Sequence, residues 1–208
     1  MKFNLLRLKK ISKEYRLKIF QKFYEIKEGH PGSVFSIIDI LVVLFKQKFI
    51  RIKNKKIFDI IIISKGHATS ALYPILADEG VLNKREWINW GKTKSVLRIF
   101  GNTNIPGIQA TTGSLGHGVG LGCGYAKSFK LKKKKNKVFV LISEGELYEG
   151  STWEAMLFAN HHKLDNLNII VDVNNLIILG KTKQCLNLNP IRKKFTSFGF
   201  NVEECNGH

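Results

Sequence analysis

The chain has 208 residues, 44% of them apolar, and a formal net charge of +18 from 34 Lys+Arg against 16 Asp+Glu. That length and apolar content suffice for one α/β domain with a full core and exclude a disordered chain. Cys123, Cys185 and Cys205 form no C-x-x-C pair and are odd in number, which argues against a disulfide framework and for a reducing, cytoplasmic compartment. The start, MKFNLLRLKKISKEYRLKIF, is basic but lacks an unbroken apolar segment and a small-residue cleavage site. The longest apolar run near it, 40–45, is too short to span a bilayer. The charge raises nucleic acid as a partner, the lesser alternative here. The lysines are spread along the chain, and the one block, 132–135, falls in an expected loop with no nucleic-acid module around it. A basic surface also attracts phosphorylated metabolites.

Residues 4–28 read as a first helix, with Ile11, Tyr15, Ile19, Phe23 and Ile26 on one face. GHPGS, 29–33, ends it, because Pro31 cannot continue a helix. Residues 33–45 are expected as one buried apolar helix, and 46–56 as a basic connector. IFDIIIIS, 57–64, is a continuous β-branched run and reads as a central parallel strand buried on both faces. KGHATSALYPILADEG, 65–80, is a Gly-His turn feeding a helix. A short helix is expected over 83–90, an irregular stretch over 92–109, and a Gly-rich turn continuing into a helix over 111–129.

Residues 137–180 form the most informative stretch: strand, Gly-containing turn, helix, strand, polar turn. Ser151 and Glu154 read as an S-x-x-E capping box at the helix start. Trp153, Met156, Leu157, Asn160 and Leu164 then recur at helical spacing. This is a βαβ unit, and in open α/β sheets ligands bind at the carboxyl ends of the strands. Beyond it, 190–198 is a candidate helix and 200–205 a candidate strand.

An acid and an amide fall at that edge. Glu144 follows the first strand and Asn174 the second. Their oxygens are hard ligands suited to Mg²⁺, which commonly bridges to substrate phosphates; the competing reading is a capping Glu and a turn Asn. GHPGS, SKGHATS and TTGSLGHG would let backbone N–H groups approach a phosphate at a helix start. None matches a dinucleotide or P-loop fingerprint, and each is equally readable as turn punctuation.

SEGELYEGSTWEA, KLDNL, VDVNN and the following LG resemble the thiamine-diphosphate motif of transketolases. GHPGS, SKGHATSALYPILADEG and IPGIQATTGSLGHGVGLGCGYA resemble other blocks of the same amino-terminal domain, in the same order, over about residues 5–208. The size is similar to that of the separate amino-terminal subunits of split transketolases. The resemblance implies a three-layer α/β fold with a mostly parallel sheet flanked by helices. It implies transfer of a two-carbon ketol unit between sugars, using thiamine diphosphate and Mg²⁺. Glu144 and Asn174 would ligate the metal, with the Leu176 carbonyl as third ligand. Gly145 would contact the diphosphate, His67 would reach one of its oxygens, and His30 would lie near the thiazolium carbon and the substrate. Gly113, Leu115, Gly116 and His117 would line the cofactor cleft, and Glu149 would help hold the activating acid at a dimer interface. His161 and His162 are expected to be structural.

The chain departs from the pattern in three places. The family motif opens GDG where this sequence has Ser143-Glu144-Gly145. Upstream of IPG the family often carries Gly-His-Pro where this sequence reads GNTN, with Asn102 or Asn104 as substitute donors. The region of a further active-site His lies beyond the chain. The expectation is therefore one domain, 1–208, truncated or lacking its final elements. A carboxy-terminal pyrimidine-binding subunit or domain would supply the activating glutamate, in a dimer or heterotetramer. The alternative is a degenerate, non-catalytic scaffold subunit of the same fold. The apolar faces of 33–45 and 150–164 would serve an obligate interface or the core.

Overall fold

The first helix, α1, is Leu5–Ile26 in the structure, a computed structural model that describes residues 4–207. Asn4 starts it by accepting the Arg7 N–H at 2.9 Å, and Lys27 in the left-handed region ends it. The buried stripe is Leu8, Ser12, Tyr15, Ile19 and Phe23, with Ile11 and Ile26 at its margins. The expected helix over 33–45 is in fact two: α2, Pro31–Phe35, and α3, Ile38–Lys46. Pro31, which stops α1, opens α2 at the position where a missing N–H costs nothing. Between them the Ser36 N–H is shared by the Gly32 and Val34 carbonyls, and its hydroxyl bonds the Ser33 carbonyl at 3.2 Å. Val34, Ile37, Ile38, Leu41, Val42, Leu44 and Phe45 are buried, so this apolar run belongs to the core.

By internal contacts the described chain divides into two compact units. The first takes in the chain up to Ile61 and Gly66–Gly113; the second takes in Ile62–Lys65 and the chain from Ser114 onward.

In the first unit the basic connector carries a hairpin, β1 Ile52–Lys53 with β2 Lys56–Ile57. Asn54 and Lys55 both have positive φ, as a two-residue hairpin turn demands. Arg51 grips the fully buried Asp59 carboxylate with Nε at 2.8 Å and with its backbone N–H at 2.9 Å. The strand expected over 57–64 therefore starts later, as β3, Ile60–Ile63. A 3-10 helix, Gly66–Leu72, leads into α4, Tyr73–Asp78; α5, Lys84–Asn89, is capped by Asn83. Gly66 permits this turn, since a Cβ there would lie 2.3 Å from the Thr112 carbonyl oxygen. Trp90 packs edge-on against Phe23 and Tyr73 at 5.8 and 5.3 Å, and the buried Tyr73 hydroxyl donates to the Arg98 carbonyl at 2.7 Å.

The second unit holds α6 His117–Leu131, β4 Val138–Ser143, a 3-10 turn Glu144–Tyr148, α7 Gly150–His161 and β5 Leu167–Asp172. After these come the hairpin β6 Leu176–Ile177 and β7 Gly180–Lys181, then α8 Thr182–Cys185 and α9 Ile191–Ser197. The parallel sheet has the order β3-β4-β5, so β4, not β3, is its middle strand. β4 and β5 run in parallel from Val138 opposite Leu167 to Ser143 opposite Asp172, the expected βαβ unit. Gly122 lets α6 approach β4, because a Cβ there would sit 2.4 Å from Val140 Cγ2. Trp153 of α7 packs on Phe195 and Phe198 at 5.8 and 5.2 Å. The strand expected over 200–205 is absent. Gly199 turns with φ +86, the Phe200 N–H bonds the Phe195 carbonyl, and the segment closes α9 instead of joining a sheet.

Candidate functional site

The capping box lies at the end of β4, not at Ser151 and Glu154. Ser143 accepts from the Glu146 backbone N–H, and Glu146 Oε2 accepts from the Ser143 N–H at 3.0 Å. α7 starts at Gly150 with Glu149 as its cap residue, so Ser151 already lies in the first turn; its hydroxyl donates to the Gly116 carbonyl at 3.2 Å.

Glu146 does more than cap. Its side chain is 0% exposed, and Oε1 accepts from the Ser64 hydroxyl and from the Gly116 N–H at 3.1 Å. Ser64 Oγ in turn accepts from the Gly118 N–H at 3.1 Å. One carboxylate thus ties the ends of β3 and β4 to the start of α6. Beside it Lys65, 1% exposed, pairs with Asp172 at 2.6 Å, linking the end of β3 to that of β5. Burial pushes the Lys65 ammonium below its ordinary pKa, and the Asp172 carboxylate opposes that shift. These residues do not stand out in the sequence. The signal that could have found Glu146 is the Ser-x-x-Glu spacing at the end of a buried strand.

The acid and amide singled out from the sequence lie on two neighbouring connections, after β4 and after β5. Glu144 is 2% exposed, and its Oε2 accepts from the Asn175 N–H at 2.9 Å. Asn175 has φ +62, which asparagine tolerates, and Asn174 Oδ1 accepts from the Leu176 N–H at 3.0 Å. Gly145 is closely packed: a Cβ there would lie 3.0 Å from Ile177 Cγ2. Gly116 has φ +83 and packs on Glu149, where a Cβ would lie 2.5 Å from Glu149 Cβ. Glu149 is exposed, as is His117 at the first position of α6, while Leu115 is half-buried. His161 and His162 stand at the carboxyl end of α7, with Lys127 3.1 Å from His162 Nδ1. Desolvation, Lys127 and His161 together push the His162 pKa down.

The first unit brings together His30 and His67, with ring centroids 5.2 Å apart. His30 is the exposed residue preceding α2, and His67 Nε2 is hydrogen-bonded to Ser33 Oγ at 3.1 Å. Of the asparagines expected as substitute donors, Asn102 accepts the Asn104 N–H with its Oδ1. Phe100 stands beside both rings, 6.2 Å from His30 and 6.5 Å from His67. Gly113 also faces Phe100, whose Cδ1 would be 3.7 Å from a Cβ at that glycine.

Among the described residues, no three His, Cys, Asp or Glu side chains converge as a metal site. Glu144, the Asn174 amide and the Leu176 carbonyl are a different donor set, one charge with neutral oxygens, of the hard type that Mg²⁺ takes alongside waters and phosphate. Glu144 makes no ion pair among the described residues, and Oε1 makes no hydrogen bond among them. A buried carboxylate without a cation is costly. A divalent ion would supply the missing charge, so the donor set fits.

The family described as "Transketolase, thiamine diphosphate binding domain" matches residues 8–208. An apulose-4-phosphate transketolase subunit of Phocaeicola vulgatus is 36% identical over 202 residues, covering 94% of this chain and 71% of that protein. Human transketolase is 34% identical over 206 residues, covering 97% of this chain and 33% of that protein. The crystal structure of Campylobacter jejuni transketolase superposes with a TM-score of 0.86 at 28% identity, covering 95% of this chain and 33% of that one. The chain thus spans about a third of the full-length transketolases it matches. Among the described residues, no helix is long and apolar enough to cross a membrane. The chain belongs to the transketolase amino-terminal family, whose domain binds thiamine diphosphate.

Proposed function

We propose that this chain is the diphosphate-side portion of a transketolase-like enzyme, as a separate subunit or as part of a longer chain. The enzyme moves a two-carbon ketol unit between sugars, with thiamine diphosphate and Mg²⁺. The observation that carries this reading is the buried Glu144 carboxylate without a counter-cation, on the same loop contact as Asn174 and Leu176. Glu144, Asn174 and the Leu176 carbonyl hold the metal, and the Gly145 backbone approaches the diphosphate. Thiamine diphosphate, when bound, supplies the electron sink for bond cleavage beside a ketose carbonyl. His67 donates to a diphosphate oxygen, and His30 donates to the oxygen of the substrate where negative charge develops. Gly113, Leu115, Gly116 and His117 line the cofactor.

The activating acid comes from a pyrimidine-side partner chain or domain, with Glu149 at that interface. Two relatives that are themselves named as single subunits of an apulose-4-phosphate transketolase support a partner polypeptide. The exposed Leu157 and Phe158 of α7 suit the same contact. A cytoplasmic setting fits the dispersed thiols.

Titration calorimetry with thiamine diphosphate tests this on the chain assembled with a pyrimidine-side transketolase chain from the same organism. Saturable binding at millimolar Mg²⁺, abolished by a chelator, is the expected result. Absence of binding by the assembled pair would overturn the reading. Glu144→Asp separates an intact site from a degenerate one. The longer side chain reaches the Asn175 N–H, so shortening it loses a charge-assisted bond of roughly 1.5–3 kcal/mol. Affinity is expected to fall by roughly tenfold or more; a rise would identify Glu144 as a damaged ligand and favour a non-catalytic scaffold.

A further inference from the structure

Phe100 is 44% exposed, and its ring meets both imidazoles edge-on, at interplanar angles of 76° to His30 and 67° to His67. The backbone that presents it is fixed on both sides. Arg98 bonds the Ser95 and Leu97 carbonyls with its guanidinium, and its own carbonyl accepts from Tyr73. Gly101, on the other side, leaves no room for a Cβ, which would lie 2.3 Å from Thr69 Cγ2. A large apolar ring is thus held partly in water against two histidines.

We infer that Phe100 is a positioning and specificity-determining residue of the histidine pair: it sets the orientation of the His30 and His67 rings and gives them a wall with no hydrogen-bonding group. This rests on the transketolase-like reading. An apolar wall rejects an added hydroxyl only weakly, whereas a wall built to hydrogen-bond a hydroxyl strongly rejects the analogue that lacks it. The substrate class is therefore short aldehydes accepted with or without a hydroxyl on the carbon next to the reacting carbonyl.

The test uses F100L, which removes the ring but keeps apolar bulk, F100Y, which keeps the ring, and F100N, which supplies a hydrogen-bonding group. Histidine ring resonances of the full chain are recorded by NMR. In F100L the His30 and His67 signals move together, those of His161 and His162 stay, and F100Y restores the wild-type pattern. Unmoved His30 and His67 signals in a folded F100L protein would overturn the positioning role. The second readout is the ratio of kcat/KM for glycolaldehyde to that for acetaldehyde, with one ketose donor and the assembled enzyme. The wild-type ratio stays within roughly a hundredfold and F100N raises it by about tenfold or more; an unchanged ratio would overturn the specificity role. No turnover by the assembled wild-type enzyme with any ketose would overturn the transketolase-like reading and the specificity role with it. The ring resonances would still decide the positioning role.

Discussion

The second unit collects Lys65, Glu144, Glu146 and Asp172 at the carboxyl ends of β3, β4 and β5, all of them buried. In the first unit His30 and Phe100 stand exposed, and the contacts between them and His67 are ring to ring. The two regions obey different physics. Charged groups away from water interact strongly and demand full satisfaction, so each partner constrains the others. Aromatic contacts at a surface are worth about 0.5–1.5 kcal/mol and tolerate reorientation. A diphosphate and metal anchor gains from the first kind of construction. On the proposed reading the histidines, which meet the sugar, are of the second kind, with Phe100 beside them.

The comparison breaks most sharply if the buried pair proves dispensable. Asp172→Ala takes the carboxylate away from the buried Lys65 ammonium, and about 3–5 kcal/mol of stability should be lost, read from urea unfolding. Replacing both partners, Lys65→Met with Asp172→Leu, should recover most of it, since an apolar pair of similar volume carries no desolvation cost. A loss below about 1 kcal/mol for Asp172→Ala would mean that water reaches the pair. Glu146→Gln comes next. The carboxylate accepts from Ser64, Gly116 and Ser143, and an amide must turn its NH₂ toward one of those donors. A cost of roughly 1–3 kcal/mol is expected by the same measurement.

The fold is legible where one physical signal dominates. The β-branched run before Ser64, the alternating elements of 137–180 and the shared blocks of motif point to the parallel sheet and its ligand edge. Elements whose signal is a single residue are hidden. Asn54 makes a hairpin inside a run of lysines, and at Ser36 a largely apolar helical run divides in two. A capping box reads naturally at Ser151 because a helix-start pattern occurs there too. Only tertiary structure shows that Ser151 is spent on the Gly116 carbonyl while Ser143 and Glu146 do the capping. Glu144 and Asn174 are readable as polar residues after strands. Lys65 with Asp172, and Glu146 with Ser64, are not, because partners 107 and 82 positions apart leave no local pattern.

A smaller effect separates burial from charge. Cys123, a buried residue of α6 whose thiol donates to the Ala155 carbonyl of α7 at 3.3 Å, has its pKa pushed up to about 11 by burial. An unfolded cysteine ionises near 9.0, so between these values the unfolded state loses the proton first and stability falls as pH rises. Below that window the contribution is complete. The difference in melting temperature between wild type and Cys123→Ala should therefore be flat below about pH 9 and change only above it. A parallel drift of both proteins across the whole range would show that the thiol is not sealed. Native-state labelling should reach Cys185 and Cys205, which are exposed, and spare Cys123.

The smallest expected change in stability is in the ring cluster. His30 is exposed and caps α2 without a side-chain hydrogen bond, so His30→Ala removes two ring contacts and no buried bond. Its unfolding free energy should stay within about 0.5 kcal/mol of wild type. If His30 donates to the substrate as proposed, the same variant loses turnover in the assembled enzyme by roughly a hundredfold or more while still binding thiamine diphosphate. That pattern is the inverse of Asp172→Ala, where stability falls first. A His30→Ala protein that unfolds several kcal/mol more easily would place the histidine cluster among the structural supports of the first unit, and would remove the distinction between a rigid anchor and an adjustable surface.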